Sequence, residues 1–316
     1  MKNMANIVFL DRKSLGSDLD LGRFQELGNI TEYDFSTSDE IPERVKDADI
    51  IITNKCQMNE NTLGEAKKVK AVCVTATGVN NLDIPYLEGA GIHWHNVAGY
   101  STDSVAQHTL ALVLYLYEHL PYYDEYVKSG AYAGDTLFTH FERPFCELTG
   151  KTWGIVGLGA IGRRTAQIAS SFGCRVVYYS TSGVERKEDY PSVSWDELLE
   201  TSDIITIHAP LNEKTKDLFG REAFKKMKKS ALLVNVGRGP ILVEKDLAEA
   251  IDTGEIAAAG LDVLEKEPMV KDSPFLSMKH KERILITPHI AWASLEARKR
   301  LMDIIYQQVK EELELH

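Results

Sequence analysis

The sequence contains few cysteines, and none of them lie close together. The four are Cys56, Cys73, Cys146 and Cys174. Zinc and redox motifs need cysteines a few residues apart, so this spacing excludes the common ones, and we expect no metal site. Unpaired thiols are typical of proteins in a reducing compartment, which predicts a cytoplasmic location. His93 and His95 alternate on a strand-like segment without an acidic cluster nearby, which favours a structural role over a metal-binding one.

Long apolar runs and an excess of positive charge are also missing. The apolar stretch at residues 109–117 is far shorter than the roughly 20 residues that a membrane span needs, and it predicts a buried helix. The run at residues 7–10 is too short for a signal-peptide core and predicts a first strand. A formal net charge of -11 repels phosphate at long range, so nucleic acids and anionic membranes are disfavoured as partners.

What the chain does contain is a long alternation of short apolar runs and helical segments. At 316 residues with 44% hydrophobic content, it reaches the length at which one core divides into two, so we expect two domains. Strands alternating with helices predict parallel sheets with crossover connections. The first predicted series has strands at residues 7–10, 50–53, 71–75 and 92–94, with helices at 59–66 and 84–90. The second has strands at 152–156, 175–179, 204–208, 232–235, 257–261 and 284–286.

Three further helices are predicted from local patterns. Residues 104–117 are apolar on nearly every side, so we expect this helix to lie between domains or subunits. Ser194 and Glu197 have the spacing of a capping box, which predicts a helix start at that point. The tail at residues 294–315 has a helical pattern and is expected to return to the first domain.

A glycine fingerprint follows the first strand of the second series. It reads Gly157-Leu158-Gly159-Ala160-Ile161-Gly162 and precedes a helical run at residues 163–172. Glycine-rich turns are common, but a preceding strand and a following helix are the context that a dinucleotide-binding motif requires. Such glycines let the backbone approach a pyrophosphate at a helix N-terminus, where amide hydrogens and the helix dipole favour negative charge.

The expected acidic partner of the NAD ribose is absent from the next strand end. Ser180-Thr181-Ser182 stand where an aspartate or glutamate would receive the ribose 2′-hydroxyl. These side chains could accept the 2′-phosphate of NADP, with help from Arg186 and Lys187, or Ser180 could simply hold NAD less firmly. Both NAD and NADP therefore stay open.

Three charged or titratable residues have distinctive settings downstream of the fingerprint. Arg238 lies between Gly237 and Gly239 after an apolar strand, at the sheet edge where ligands bind, and a guanidinium can hold a carboxylate through several donors. His289 follows Thr287-Pro288, and Glu267 precedes Pro268 in a charged loop. Each alone would be an ordinary surface residue. Together they supply an anion anchor and a carboxylate-supported proton donor for reduction of a keto group.

With these settings, the chain resembles the D-isomer-specific 2-hydroxyacid dehydrogenase family, and most closely its glycerate dehydrogenase or hydroxypyruvate reductase branch. The resemblance covers nearly the whole chain and includes segments 76–83, 96–106 and 208–211. It implies an oxidoreductase that uses NAD or NADP to interconvert a small 2-keto acid and a D-2-hydroxy acid, with hydroxypyruvate/glycerate or glyoxylate/glycolate favoured. Formate dehydrogenases of the family carry glutamine where Glu267 stands, so formate is disfavoured.

The resemblance also implies the residues of the site. The implied catalytic residues are Arg238, Glu267 and His289. Asp262 is expected to meet the nicotinamide carboxamide. The expected substrate-binding residues are Gly78, Val79, Arg238 and His289, to which we add Lys55 because it follows a predicted strand of the first domain. The expected cofactor-binding residues are Thr102, Gly157, Gly159, Ala160, Ile161, Gly162, Ser180, His208, Ala209, Pro210, Val236, Gly237, Arg238 and Asp262.

The implied fold is α/β, with two doubly wound parallel-sheet lobes and the active site in a cleft between them. Residues 1–100 and 289–316 would form a discontinuous, flavodoxin-like substrate-binding domain, and residues 101–288 a Rossmann-type dinucleotide-binding domain. The helix from residue 104 and the segment 122–145 resemble the family's dimerisation arm, which predicts a homodimer.

An alternative from another functional class is an NAD(H)-sensing binding protein, since transcriptional corepressors share this fold. The chain has no long proline-rich or disordered extension of the kind that marks a regulatory scaffold. It also keeps all three implied catalytic residues. These two features favour the enzyme.

Overall fold

The structure is a computed structural model that describes residues 4–184 and 187–315. The chain falls into two compact units. The first unit comprises Met1–Ser101 with Ala293–His316, and the second comprises Thr102–Trp292. The sequence predicts boundaries at residues 100/101 and 288/289, and the substrate and cofactor roles of the two domains stay predictions.

Both units are built from strands and helices in alternation. The strands are β1 (Ala5–Phe9), β2 (Gly28–Glu32), β3 (Ile50–Thr53), β4 (Ala71–Val74), β5 (His93–His95), β6 (Thr152–Val156), β7 (Arg175–Tyr179), β8 (Ile204–Ile207), β9 (Leu232–Asn235), β10 (Ala258–Leu261) and β11 (Ile284–Ile286). The α-helices are α1 (Ile41–Val45), α2 (Glu60–Leu63), α3 (Ile84–Gly89), α4 (Thr102–Tyr117), α5 (Leu120–Lys128), α6 (Ala160–Ser171), α7 (Trp195–Thr201), α8 (Arg221–Lys226), α9 (Glu244–Thr253) and α10 (Leu295–Leu315). Short 3-10 helices lie at Arg12–Leu15, Gly22–Glu26, Ala131–Gly134, Gly239–Ile241, Pro274–Leu276 and Lys281–Arg283.

The first unit contains a parallel five-stranded sheet in the order β2-β1-β3-β4-β5. This is the strand order of flavodoxin-like folds, in which the order reverses between β1 and β3. The sequence does not predict strand β2, because Gly28–Glu32 is a polar, half-exposed edge strand without an apolar run. Strands β3 and β4 are buried along their whole length, and their continuous apolar runs made them predictable.

Helix α10 belongs to the first unit and carries a buried carboxylate to the edge of its sheet. Glu312 is 3% exposed. Its carboxylate lies 2.9 Å from His93 Nδ1 and 2.7 Å from His95 Nε2, and both histidines are on β5. Burial raises the pKa of Glu312, but hydrogen bonds with His95 and His93 outweigh this and lower it from the ordinary value. The two histidines therefore connect the edge strand to the C-terminal helix.

The second unit contains a parallel six-stranded sheet in the order β11-β10-β9-β8-β6-β7. A parallel bridge between Tyr178 and Ser192 adds a short contact beyond β7, where a Rossmann sheet has its third strand. Both sheets confirm the predicted doubly wound α/β class. The order reverses between β6 and β8, and ligands of open parallel sheets bind at the carboxyl ends of strands at such a point.

Helices α7 and α4 of the second unit follow from the sequence pattern of their own residues. Helix α7 begins after Ser194, whose hydroxyl accepts a hydrogen bond from the Glu197 amide at 3.1 Å, as the capping pattern predicted. Helix α4 buries its apolar face, including Leu112 and Val113, in a core shared with β6 and β9. Its expected position between domains or subunits stays a prediction.

In the part of the chain that the structure describes, no helix is both long and apolar enough to cross a membrane.

Candidate active site

The fingerprint loop lies at the reversal of strand order in the second sheet. Gly157 has a φ of +90°, and a Cβ there would lie 2.9 Å from the backbone of Ala209. A Cβ at Gly162 would overlap the carbonyl oxygen of Gly157, whereas one at Gly159 would meet nothing within 4 Å. The first and third glycines are therefore needed for the turn and for helix packing. The second leaves the backbone open at the start of α6, and this arrangement fits a dinucleotide pyrophosphate.

A cavity of about 250 Å³ opens beside this loop. Its lining includes Gly157, Gly159, Tyr178, Ser180, Thr181, Ser182, Val184, Glu188, His208, Pro210 and Asn212. Predicted cofactor residues from three different strand ends thus share one cavity. Ala160, Ile161 and Gly162 form the first turn of α6 next to it, and Thr102 is the first residue of α4.

The end of β7 presents hydroxyl groups to the cavity. Ser180 Oγ lies 3.2 Å from Ser182 Oγ. Glu188 also lines the cavity, and no sequence pattern predicts this position. Arg163 on α6 binds the Glu188 carboxylate through two bonds, one of them 2.9 Å from Nε to Oε2 and the other from Nη2 to Oε1. The carboxylate at this cavity is thus paired with a guanidinium. Arg186 lies outside the described residues.

His208 contributes an uncharged ring to the cavity wall. Thr206 Oγ1 accepts the indole N–H of Trp153 at 3.1 Å and lies 3.0 Å from His208 Nε2. Burial lowers the pKa of His208 to about 3, so the ring is neutral at physiological pH.

Arg238 lies on a tight loop directly after β9. Its backbone is extended, with φ of -144° and ψ of 138°, and its Nη1 donates to the Gly237 carbonyl oxygen at 2.8 Å. A Cβ at Gly237 would lie 3.0 Å from the Ala209 carbonyl oxygen. A Cβ at Gly239 would overlap the backbone of Leu264. The loop that carries Arg238 therefore packs backbone to backbone against the loop that leads to Glu267.

His289 and Glu267 are hydrogen-bonded to each other. His289 Nδ1 lies 2.7 Å from Glu267 Oε2, across 22 residues of sequence. The other oxygen of Glu267 accepts the Leu264 amide at 3.0 Å. The side chains of His289 and Glu267 are 27% and 35% exposed, so the pair is partly open to solvent. The carboxylate therefore fixes the orientation of the His289 ring through Nδ1.

The turn at His289 has an unusual backbone that Asp262 stabilises. His289 has a φ of +54°, which few non-glycine residues adopt. The Asp262 carboxylate, 1% exposed, accepts hydrogen bonds from Thr287 Oγ1 at 2.7 Å and from the Ile290 and Ala291 amides at 2.9 and 2.8 Å. The three donors come from residues before and after His289 in the sequence, so the Asp262 carboxylate holds both ends of the turn. The expected contact of Asp262 with a nicotinamide carboxamide stays a prediction.

Two supporting residues were not found from the sequence. Glu244, at the start of α9, accepts the Glu265 amide at 2.8 Å, and burial raises its pKa. His108 on α4 lies 3.0 Å from Thr287 Oγ1. No local pattern distinguishes either residue from an ordinary helical side chain, because their hydrogen-bond partners, Glu265 and Thr287, are far away in the sequence.

The remaining predicted site residues belong to the first unit. Lys55 is exposed after β3, and its amide donates to Asp11 Oδ2 at 2.7 Å. Gly78 and Val79 lie between β4 and α3, where the Val79 carbonyl accepts the Leu82 amide at 3.0 Å. Their roles toward a substrate stay predictions.

Comparison with known proteins agrees with this geometry. The family model for the NAD binding domain of D-isomer specific 2-hydroxyacid dehydrogenases matches residues 110–291. A hydroxypyruvate reductase from Blautia hydrogenotrophica is 37% identical over 96% of this chain and 96% of its own. A glycerate dehydrogenase from Methylorubrum extorquens is 34% identical over 96% of this chain and 95% of its own.

Among solved structures, the fold matches a D-lactate dehydrogenase from Aquifex aeolicus in complex with NAD and lactic acid. The TM-score is 0.84 at 27% identity, over 98% of this chain and 96% of the other. Together with the family model and the two relatives, this likeness spans both units of the chain. The chain belongs to the D-isomer specific 2-hydroxyacid dehydrogenase family and is an NAD(P)-dependent oxidoreductase.

Proposed function

We propose that this enzyme reduces a small 2-keto acid to the D-2-hydroxy acid, with hydroxypyruvate or glyoxylate as the favoured substrate. The observation that carries the proposal is the 2.7 Å hydrogen bond between His289 and Glu267, on a loop packed against that of Arg238. It combines a proton donor with a nearby cation, which are the groups that keto-acid reduction needs.

Arg238 binds the substrate carboxylate in this proposal. Its guanidinium is charged at any working pH and can engage the carboxylate and the neighbouring carbonyl oxygen through several donors. This fixes the face of the keto carbon and polarises the carbonyl. Gly78 and Val79 would add backbone amides to the same carboxylate, and Lys55 would add positive charge.

His289 donates a proton to the carbonyl oxygen as negative charge develops on that atom. Glu267 orients the ring through Nδ1, which leaves Nε2 to face the substrate. The turn that carries His289 is held by Asp262 through three hydrogen bonds. A bound NADH or NADPH supplies the hydride. The open backbone at Gly159, the first turn of α6, Ser180 and His208 would hold that cofactor.

The substrate preference is supported by the names of the relatives. One is a hydroxypyruvate reductase and one a glycerate dehydrogenase, both at 34% identity or more. Two glyoxylate reductases, from Thermofilum pendens and Korarchaeum cryptofilum, are 34% and 33% identical to this chain. These names favour short, polar 2-keto acids.

Absorbance at the NADH band tests the proposal directly. Hydroxypyruvate, glyoxylate and pyruvate are each added with NADH and with NADPH, and we expect turnover of hydroxypyruvate or glyoxylate at the highest kcat/KM. Arg238→Lys keeps the charge but not the planar fork, and we expect it to weaken substrate binding and turnover together. Cofactor binding without oxidation by any keto acid would contradict the proposal and favour a nucleotide-sensing protein.

We also propose that the enzyme is a homodimer joined through an aromatic arm, defined as residues 122–145. Several large apolar side chains of the arm are exposed on the single chain, including Leu137, Phe138, Phe141 and Phe145, with Phe138 at 90%. An exposed apolar patch of this kind is typical of a protein interface. Light scattering at micromolar concentration should give the dimer mass, and Phe138→Ser with Phe141→Ser should give the monomer. A monomer mass for the unchanged protein would contradict this.

We propose a cytoplasmic location because the cysteines form no disulfide bonds. All four thiols are free, and Cys56, Cys73 and Cys174 are buried. Buried free thiols are common in proteins of reducing compartments. Fractionation of the cells that make the protein would test this.

A further inference from the structure

Asn235 is a buried amide at the end of a central strand. It is the last residue of β9, and its backbone pairs with Ile207 on one side and Leu261 on the other. The residue is 0% exposed. A buried amide costs folding free energy unless its donor and acceptor are both satisfied, so the partners of this side chain indicate what it does.

Both partners lie in the loop that carries Arg238. The side-chain oxygen of Asn235 accepts the Gly237 amide at 3.0 Å, and its Nδ2 donates to the Arg238 carbonyl oxygen at 3.0 Å. A backbone amide can only donate and a carbonyl can only accept, so the orientation of the side chain is assigned by its partners. One side chain therefore spans the loop and holds the backbone on both sides of the Arg238 Cα.

We propose that Asn235 is a positioning residue that sets the direction of the Arg238 guanidinium. This rests on the proposed function, in which Arg238 receives the substrate carboxylate. The chemistry needs an asparagine. Aspartate offers two acceptors and no donor, so one of its oxygens would face the Arg238 carbonyl. Alanine offers neither group, and glutamine is one methylene longer.

Asn235→Asp is the sharpest single test, because it keeps the acceptor for Gly237 and removes only the donor to Arg238. We expect the KM for the best keto acid to rise about tenfold and kcat to fall, the scale of coupling between contacting residues. The Kd of NADH, from fluorescence titration, should stay within about twofold because the Gly237 bond is retained. An unchanged KM would overturn the proposal.

A double-mutant cycle with Arg238→Ala separates positioning from a general effect on folding. If Asn235 acts through Arg238, adding Asn235→Asp to Arg238→Ala should change KM by less than about twofold. A second tenfold rise in that background would overturn the proposal, since Asn235 would then act on something else. If Arg238→Ala alone has the kinetics of the unchanged enzyme, the proposed role of Arg238 fails instead.

Two further variants control for stability. Phe224→Leu trims a fully buried side chain on α8, in the core that also contains Leu233 of β9, and we expect a lower Tm with an unchanged KM. If Asn235→Asp does not fold, Asn235→Ser takes its place, because a serine hydroxyl can still accept from the Gly237 amide. A KM that tracks Tm across the Asn235 variant and Phe224→Leu would identify Asn235 as structural only and overturn the proposal.

Discussion

A Gly239→Ala substitution adds a single methyl group and tests whether the loop that carries Arg238 packs directly against the loop that leads to Glu267. Gly239 has no positive φ, so alanine can adopt its backbone conformation, and the effect is purely steric. A Cβ at this position would overlap the Leu264 carbonyl and the Glu265 amide, whereas real Cβ atoms keep at least 3.0 Å from such atoms. Both neighbours are backbone atoms. The loop that leads to Glu267 must therefore move away from the loop of Arg238.

The size of the effect follows from that displacement. Forcing one extra methyl group into a packed site costs about 1–3 kcal/mol. In a domain of this size, each kcal/mol lowers Tm by about 2–4 °C. A shift of about 1 Å between catalytic groups costs on the order of 10²-fold in rate, so we expect kcat/KM to fall by about that factor.

Thermal denaturation and steady-state kinetics with the best keto acid provide the measurements. Gly89→Ala is the matched control, because a Cβ at Gly89 would meet nothing within 4 Å and the residue ends helix α3. We expect the control to keep full activity and to raise stability slightly. Full activity and an unchanged Tm for Gly239→Ala would refute the idea that the two loops pack in direct contact.

Four further changes have defined outcomes. His289→Gln should reduce turnover by roughly 10²–10⁴-fold while NADH titration gives an unchanged Kd, and a smaller loss would remove His289 as the proton donor. Glu267→Gln should lower kcat for keto-acid reduction while NADH titration gives an unchanged Kd, because His289 loses the charged acceptor that orients its ring; an unchanged kcat would exclude the pairing. Ser180→Asp should weaken NADPH binding relative to NADH through repulsion of the 2′-phosphate, and equal dissociation constants before and after would show that Ser180 lies away from the ribose. Glu312→Gln should lower Tm at neutral pH. Folding lowers the pKa of Glu312 from 4.5, so the ionised carboxylate stabilises the protein fully above pH 4.5 and loses this effect as the pH falls through its lower folded-state pKa. The Tm difference between the two proteins should therefore narrow in acid, and a Tm difference that stays constant with pH would contradict this.

The local parts of the structure were predictable because each is specified by residues close together in the chain. The strand, glycine turn and helix at residues 152–171 follow from one apolar run and three glycines, and β6 begins and ends where the pattern predicted. Ser194 starts α7 through a bond to a residue only three positions away. The polar edge strand β2 was missed, because its sequence carries no apolar pattern of its own.

Local sequence patterns were enough to predict most of the strands and the candidate site residues that follow them, and the family motifs indicated which of these residues belong to one site. The tertiary structure decided which of them touch. The bonds between Glu267 and His289, Asp262 and Ala291, and Glu188 and Arg163 join residues that are 22, 29 and 25 positions apart. Such contacts depend on how strands and loops pack at the carboxyl edge of a sheet, since no local backbone preference brings distant side chains together. That packing places a paired carboxylate in the cavity beside the fingerprint loop and assigns the Asp262 carboxylate to the turn of His289.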